Sequence, residues 1–474
     1  EGELASIDAI VFGESDGMGN VAWERMVDEM IQNQAFEVDT VTGATLSSMA
    51  IKNAVKDALE EAGAKDILSA SYAHVEEPQG DMEADVVVVG AGSAGLFAAL
   101  CVADKGYKVV VLEKTGLLGG TMLRSHCDFA TGVSEREQKR TQDTLQRMQD
   151  LGVGLEDGAI DILKKPASRD GLGRAFSQAL VLSEGIESRG GVIMVNTPCT
   201  GLAFENGAVS SVTAQPQGQA EFTIKTRAVV LATGGWCRNA EMVKTHFPHY
   251  ADVAVCCGVG STGDAHKWLE GMDASTSAMD GELQFFPISK VNGTWGYDPA
   301  TYPLCVDGNG DQFGDMLADD YSAMARKAAK INPTATCYTI YSKQEIEQAG
   351  IWDFVEGQMM AGAISVFDDF AAIKGAYGVA NLDKSAEEVG LSVEAGPFYV
   401  SPWIPAHYSS YGGLDVDEGA RVLTKDGGTI PGLYAAGEVA GSEAFRQAGY
   451  YFGQLFAGSV MAMDAADAIA SDLA

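Results

Sequence analysis

"ADVVVVGAGSAGLFAALCVADKGYKVVVLEK", residues 84–114, changes character at each of its glycine stops. Val86–Val89 is an unbroken apolar run, as expected of a strand buried on both faces. The glycine-rich turn after it leads into a helical apolar pattern that Gly106 ends, and Val109–Leu112 repeats the strand signature. Gly90, Gly92 and Gly95 have G-x-G-x-x-G spacing, which lets the backbone approach a pyrophosphate at a helix N-terminus. Glu113 closes the second strand about twenty residues on, placed to accept hydrogen bonds from both hydroxyls of a ribose. The apolar stretch Val86–Ala103 has the length of a membrane span. Its glycines divide it into strand and helix instead, and the reading is a βαβ dinucleotide-binding unit.

Around this unit there is room for two or three domains: the chain has 474 residues, 46% of them hydrophobic. With 32 Lys+Arg against 66 Asp+Glu the formal net charge is −34, which repels nucleic acid and anionic lipid alike. The eight cysteines form no C-x-x-C pair; the adjacent Cys256 and Cys257 read as buried packing, and His246 and His249 as incidental. No metal site is expected. The chain opens at Glu1 without an apolar leader, so the expectation is that a leader was removed or never present.

The organisation follows from shifts in pattern. Leu4–Val11 partly alternates like a strand, Val21–Gln34 is helical, Phe36 and Val38 are extended, and Ile51, Val55, Ala58, Leu59 and Ala62 mark one helix face. These make a small α+β module over residues 1–67, followed by a polar linker over 68–83 with Pro78 and Gly80. Residues 84–280 form the first dinucleotide-binding segment, with a hairpin at Asn206-Gly207 and a buried strand in "RAVVLATGGW" (227–236). The pattern turns irregular over 281–410, as in an inserted domain. Residues 411–474 return to the first domain through "TIPGLYAAGEVAG" (429–441) and a final helix.

Between the two helical stretches of the N-terminal module stands "VDTVTGATLSSMA", residues 38–50. Together with "GLLGGT" (116–121), "LATGG" (231–235), "STGDAHKWLEGMDA" (261–274), "YGGLDVD" (411–417) and the 429–441 segment, the sequence resembles the fumarate reductase and flavocytochrome c branch of flavoproteins. The likeness covers nearly the whole chain. It implies an α/β fold: a Rossmann-like FAD domain interrupted by an α+β capping domain, preceded by a small α+β FMN-binding domain, an architecture like that of urocanate reductases. It carries the FAD-binding roles of Gly90, Gly92, Gly95 and Glu113 to Lys114, Gly119, Gly120, Thr121, Thr233, Gly234, Asp264, Gly437 and Glu438. The segment from Asp39 to Thr45 looks like the flavinylation motif of FMN-binding domains, in which a flavin transferase joins FMN to the last threonine by a phosphoester. Thr45 is then the acceptor; the plainer alternative is that Thr45 only caps the helix that follows. A covalent tether suits a flavin that cannot be resupplied, so the implied location is extracytoplasmic, exported or at the cell surface.

The sequence departs from that family where a dicarboxylate is gripped. Phe286 stands where the family has a histidine before proline, Ser409 where it has one before "GGL", and Asp320 or Tyr321 where it has a proton-donor arginine. Arg446 remains as a carboxylate-binding arginine. Phe285, Phe286, Trp295, Tyr297, Trp403, Tyr408, Tyr411, Phe445, Tyr450 and Tyr451 cluster about these positions and suit a planar or hydrophobic substrate. The resulting expectation is a two-flavin ene-reductase that takes electrons from an external or membrane-linked donor through FMN to FAD and reduces the activated C=C bond of a small-molecule alkene. Tyr321 is the expected acid, with Tyr408 and Tyr411 behind it, and Arg446 holds the substrate. A ketosteroid-type dehydrogenase and an electron-transfer flavoprotein without a small substrate are the alternatives; a closed aromatic pocket argues against the second.

Overall fold

The computed structural model describes residues 3–10, 18–72, 79–125, 129–130, 135–156, 162–166, 174–281, 283–294, 296, 304–314, 321–392, 396–441 and 454–474. Its contacts divide the chain into two compact units. The first takes Glu1–Trp236, Gly258–Gly281 and Tyr411–Ala474; the second takes Cys237–Cys257 and Glu282–Ser410. The insertion therefore begins near residue 282, but it also recruits Cys237–Cys257, which the sequence pattern leaves with the first domain.

In the first unit the N-terminal module is built on two amphipathic helices, α1 (Met18–Asn33) and α2 (Thr45–Glu61). Ile51, Val55 and Leu59 recur every four residues along α2 and are buried, each burial stabilising by about 1.5–3 kcal/mol. The expected strand at Leu4–Val11 does not form: the described part is irregular, and the Leu4 amide bonds the Gln34 side chain at 2.7 Å instead of a neighbouring strand. The linker is shorter than its polar composition suggests. Lys65–Ser69 is helical, Tyr72 N donates to Glu37 O at 2.7 Å, and Met82–Glu83 adds a parallel strand beside Phe222–Lys225.

The dinucleotide-binding region has the expected order of elements: β1 (Val86–Val89), α3 (Ser93–Asp104) and β2 (Val109–Leu112). The six-stranded sheet runs Arg421–Leu423, Thr429–Ala435, Ala228–Leu231, β1, β2 and Val192–Met194; only the first of these is antiparallel to its neighbour. All four valines of β1 are buried, which is why this strand shows no alternation. The helix Gln454–Leu473 packs against α3. A second sheet contains the hairpin of Cys199–Glu205 and Ala208–Ala214, where Asn206 and Gly207 both take positive φ, 52° and 83°, as an Asn-Gly hairpin requires.

The spine of the second unit is one long strand, Phe398–Ser410. Ala254–Val255, Leu283–Ser289, Cys337–Ser342 and Ser365–Phe367 all pair with it. The helix Tyr321–Ile331 packs on the Leu283–Ser289 and Phe398–Ser410 pair. The described cysteines, Cys256 and Cys257 among them, form no disulfide. Burial pushes the Cys101 thiol up to about 11 and those of Cys199 and Cys305 to about 12, so these three are packing residues at neutral pH. Among the described residues no helix is long and apolar enough to cross a membrane, and no His/Cys/Asp/Glu group is arranged to hold a metal ion.

Candidate functional site

The glycine turn after β1 is a backbone cradle. A Cβ on Gly95 would stand 1.8 Å from the Gly90 carbonyl oxygen, so only glycine lets α3 start this close to β1. Gly90 takes φ +105°, and a Cβ there would meet the Ala232 carbonyl oxygen at 2.3 Å. Around Gly92, by contrast, a Cβ would meet nothing within 4 Å. That open space lies at the N-terminus of α3, where backbone N–H groups favour an anion. Two hydroxyls near it are buried and unpartnered, Ser93 Oγ beside the turn and Thr233 Oγ1 on the neighbouring strand exit. Orphaned buried hydroxyls beside an open, amide-lined space fit a bound pyrophosphate.

Glu113 is buried, and its carboxylate is partly engaged. Oε2 accepts from the Ala91 amide at 2.9 Å; Oε1 accepts from the Thr115 amide at 2.8 Å and from its hydroxyl at 2.9 Å. Burial raises its pKa above the usual carboxylate range, and these hydrogen bonds pull it back. With about four acceptor positions on a carboxylate, three are taken, which leaves room for one ribose hydroxyl rather than the two expected. Lys114 and Asp264 meet each other: Lys114 Nζ lies 2.5 Å from Asp264 Oδ2 and 2.7 Å from Thr262 Oγ1. Gly119 donates its amide to the Ala91 carbonyl at 2.8 Å and bridges Gly92, and a Cβ on Gly120 would lie 3.3 Å from Gly92 Cα. Thr121 Oγ1 accepts from the Gly258 amide at 3.0 Å, and a Cβ on Gly234 would stand 3.3 Å from Ser261 Oγ. Gly437, at φ +82°, abuts Ala94, so Gly437 and Glu438 come to the first turn of α3. The FAD-site residues expected from the sequence thus converge on one cradle within the first unit.

The turn read in the sequence as a flavinylation motif leaves its last threonine exposed. Ala44 N bonds Val41 O at 2.9 Å with Gly43 at φ +101°, and Ser48 Oγ, fully buried, accepts the Val41 amide at 3.1 Å. Ala44 occupies the cap position of α2 and no side chain caps the helix. Thr45 is therefore the first helical residue, exposed, and the capping alternative does not hold. Asp39 is exposed six residues before it.

The second unit holds most of the described positions that the sequence assigns to the substrate side. Tyr408 is buried with its ring stacked on Phe286, centroids 3.9 Å apart at 21°. Ser409 donates its hydroxyl to Gln284 Oε1 at 2.8 Å, both residues buried. Phe285 and Trp403 are fully buried core residues. Tyr321 begins its helix near this strand pair, but its side chain lies outside the description; Arg446, Trp295, Tyr297, Phe445, Tyr450 and Tyr451 lie outside the described residues. Tyr411 falls in the first unit, its carbonyl packed against Gly441, and so on the same body as Glu438.

His407 carries no signal in the sequence. It is 1% exposed, its two ring nitrogens are unpartnered, and its ring neighbours are Phe285 at 5.2 Å and Tyr250 at 6.2 Å. Burial lowers its pKa to about 4, so the folded protein holds it neutral. Between pH 6.5 and about 4 the unfolded chain binds a proton here that the folded chain does not. Stability therefore falls as pH drops through that window, by about 2–3 kcal/mol. Denaturant titrations at pH 7 and 4.5 should show this loss shrinking in His407→Gln; an unchanged loss would mean that His407 is not its source.

Residues 162–449 match the model of the FAD binding domain family, residues 85–235 that of FAD dependent oxidoreductases, and residues 1–60 that of the FMN-binding domain. A urocanate reductase from Eggerthella lenta is 28% identical over 92% of this chain and 84% of its own length. An NADH:acrylate oxidoreductase from Vibrio harveyi is 26% identical over 90% of this chain; the chain spans 55% of that protein. The open conformation of a flavocytochrome c3 fumarate reductase shares the fold with a TM-score of 0.69 at 20% identity, covering 88% of this chain and 81% of that one.

Proposed function

Since the chain belongs to the FAD binding domain family, as an FAD-dependent oxidoreductase with an FMN-binding domain, we propose that it is a two-flavin ene-reductase for an aromatic or hydrophobic α,β-unsaturated acid or carbonyl compound. The relatives named for urocanate and acrylate support reduction of a C=C bond. The observation that carries the substrate class is the Phe286–Tyr408 stack together with the Ser409–Gln284 pair. By their resemblance to fumarate reductases, Phe286 and Ser409 stand where those enzymes have carboxylate-gripping histidines. Here one is apolar and the other is already hydrogen-bonded, so neither is available to a second carboxylate.

When bound, the two flavins would supply the redox chemistry: FMN at the Thr45 turn would pass electrons from an external donor, and FAD at the glycine cradle would provide hydride for the β-carbon of the activated alkene. Arg446 holds the carboxylate or carbonyl of the substrate and stabilises the negative charge that develops on it. Tyr321 gives the proton to the α-carbon; a neutral phenol still carries its proton at pH 7. Thr45 carries FMN through a phosphoester made by a flavin transferase, and that tether is useful outside the cytoplasm, where we place the enzyme.

The test is an anaerobic assay with a reduced viologen dye against aryl acrylates, small enoates, urocanate, enones and fumarate. Aromatic enoates should turn over, and fumarate should be slower by orders of magnitude, because each missing charge-assisted contact to a carboxylate is worth about 1.5–3 kcal/mol. Brisk fumarate reduction would overturn the assignment of Phe286 and Ser409.

A further inference from the structure

The turn that presents Thr45 rests on the segment leading from Glu113 to Gly120, and Gly116 is the meeting point. Its amide donates to the Thr42 carbonyl at 2.9 Å, and its carbonyl accepts from Arg25 of α1 at 2.8 Å. A Cβ on Gly43 would lie 3.2 Å from Leu117 Cδ1, so the turn is already in contact with this segment. At its two ends the same segment is tied to the glycine cradle: Glu113 accepts the Ala91 amide, and Gly119 donates to the Ala91 carbonyl. One short stretch is thus held at its middle by the flavin-acceptor turn and at both ends by the pyrophosphate cradle.

Of the contacts at Gly116, one is backbone to backbone, and Arg25 contributes a charged side-chain donor. Arg25 itself is exposed, whereas α1 is anchored in its own module by the buried Ala22, Met26 and Met30. The module does not need Arg25 in order to fold, which leaves docking as the role for its hydrogen bond.

We propose that Arg25 is a positioning residue: it latches the Thr45 turn onto the Glu113–Gly120 segment and so sets the separation across which electrons pass from FMN to FAD. The inference rests on the two-flavin reading. The latch does not alter the redox balance, since the two electrons that the external donor delivers to FMN are the two that reduce FAD. Its effect is on distance, and electron tunnelling falls off exponentially with distance.

The experiment compares wild type, Arg25→Met and Arg25→Lys, each as holoenzyme with both flavins in place, with Thr45→Ala, which carries FAD without the tethered FMN. Hydrogen–deuterium exchange at the Gly116 amide is the readout independent of activity; viologen-driven reduction of an aryl acrylate at limiting dye is the second. In Arg25→Met both flavins stay bound. The Gly116 amide should exchange about tenfold faster, and the part of turnover that Thr45→Ala abolishes should fall by a similar factor, the scale of one lost charge-assisted hydrogen bond. Arg25→Lys should recover part of both. Wild-type exchange at Gly116 in Arg25→Met overturns the latch whatever the flavins do. Wild-type turnover in Arg25→Met, with Thr45→Ala slowed, overturns its role in electron transfer while sparing the two-flavin reading. Wild-type turnover in Thr45→Ala removes that reading and the proposal with it.

Discussion

Thr45→Ala should leave the polypeptide with no covalently held flavin. Wild-type protein matured with a flavin transferase should keep yellow fluorescence in the pellet after acid or heat precipitation and release only FAD. The alanine variant should release FAD and leave a colourless pellet. The argument is one of access and chemistry. Thr45 is exposed at the first position of α2, its helix is capped by no side chain, and the turn before it is closed by Ser48 and Gly43 rather than by the threonine. The hydroxyl therefore has no structural task to lose, and the substitution removes the acceptor without disturbing the turn. Thr45→Ser should keep the flavin, because it keeps the oxygen. Retention of covalent flavin by the alanine variant would end the assignment.

Tyr321→Phe should lower alkene turnover by about 10²- to 10⁴-fold, the usual cost of removing a general acid, while dye-driven reduction of FAD proceeds as before. Tyr321 opens a helix that packs on the strand pair bearing Phe286 and Tyr408. Phe313, the aromatic of the preceding stretch, is buried and lies 6.1 Å from Trp403 of that strand. The two competing tyrosines are placed differently. Tyr408 is buried with its ring under Phe286, and Tyr411 belongs to the first unit beside Gly441. Arg446→Met should damage both KM and kcat, because a substrate carboxylate feels that charge before and during reaction. Near-normal turnover and an unchanged solvent isotope effect in Tyr321→Phe would transfer the role to Tyr408 or Tyr411.

The FAD-binding core was legible because its signals are local. Four consecutive valines, three glycines at fixed spacing and an acid at the end of the second strand are each dictated by backbone geometry, and the structure realises them in order. The Asn206-Gly207 hairpin was legible for the same reason. The Leu4–Val11 strand failed because alternation predicts a strand only where a neighbour exists to pair with it, and a side chain, Gln34, took that place. Glu113's position at the end of the second strand is visible in sequence, but its bonds to Ala91 and Thr115, which take up part of its carboxylate, are not. His407 and the recruitment of Cys237–Cys257 were illegible: both depend on packing between that segment and the strand bearing His407, some 150 residues apart in the chain.

The order of strands in the six-stranded sheet also has a consequence in time. Ala228–Leu231 lies between β1 and Thr429–Ala435, with the inserted unit separating it in sequence from the second of these neighbours. At ribosomal rates of about 5–20 residues per second, roughly ten to forty seconds pass between synthesis of that strand and of its partner. During that interval an apolar strand edge has β1 on one side and nothing on the other, in the middle of what becomes the flavin-binding core. Ribosome-bound chains stopped short of residue 429 should therefore bind holdase chaperones and remain sensitive to protease, and chains extended past residue 441 should lose both properties as the edge is covered.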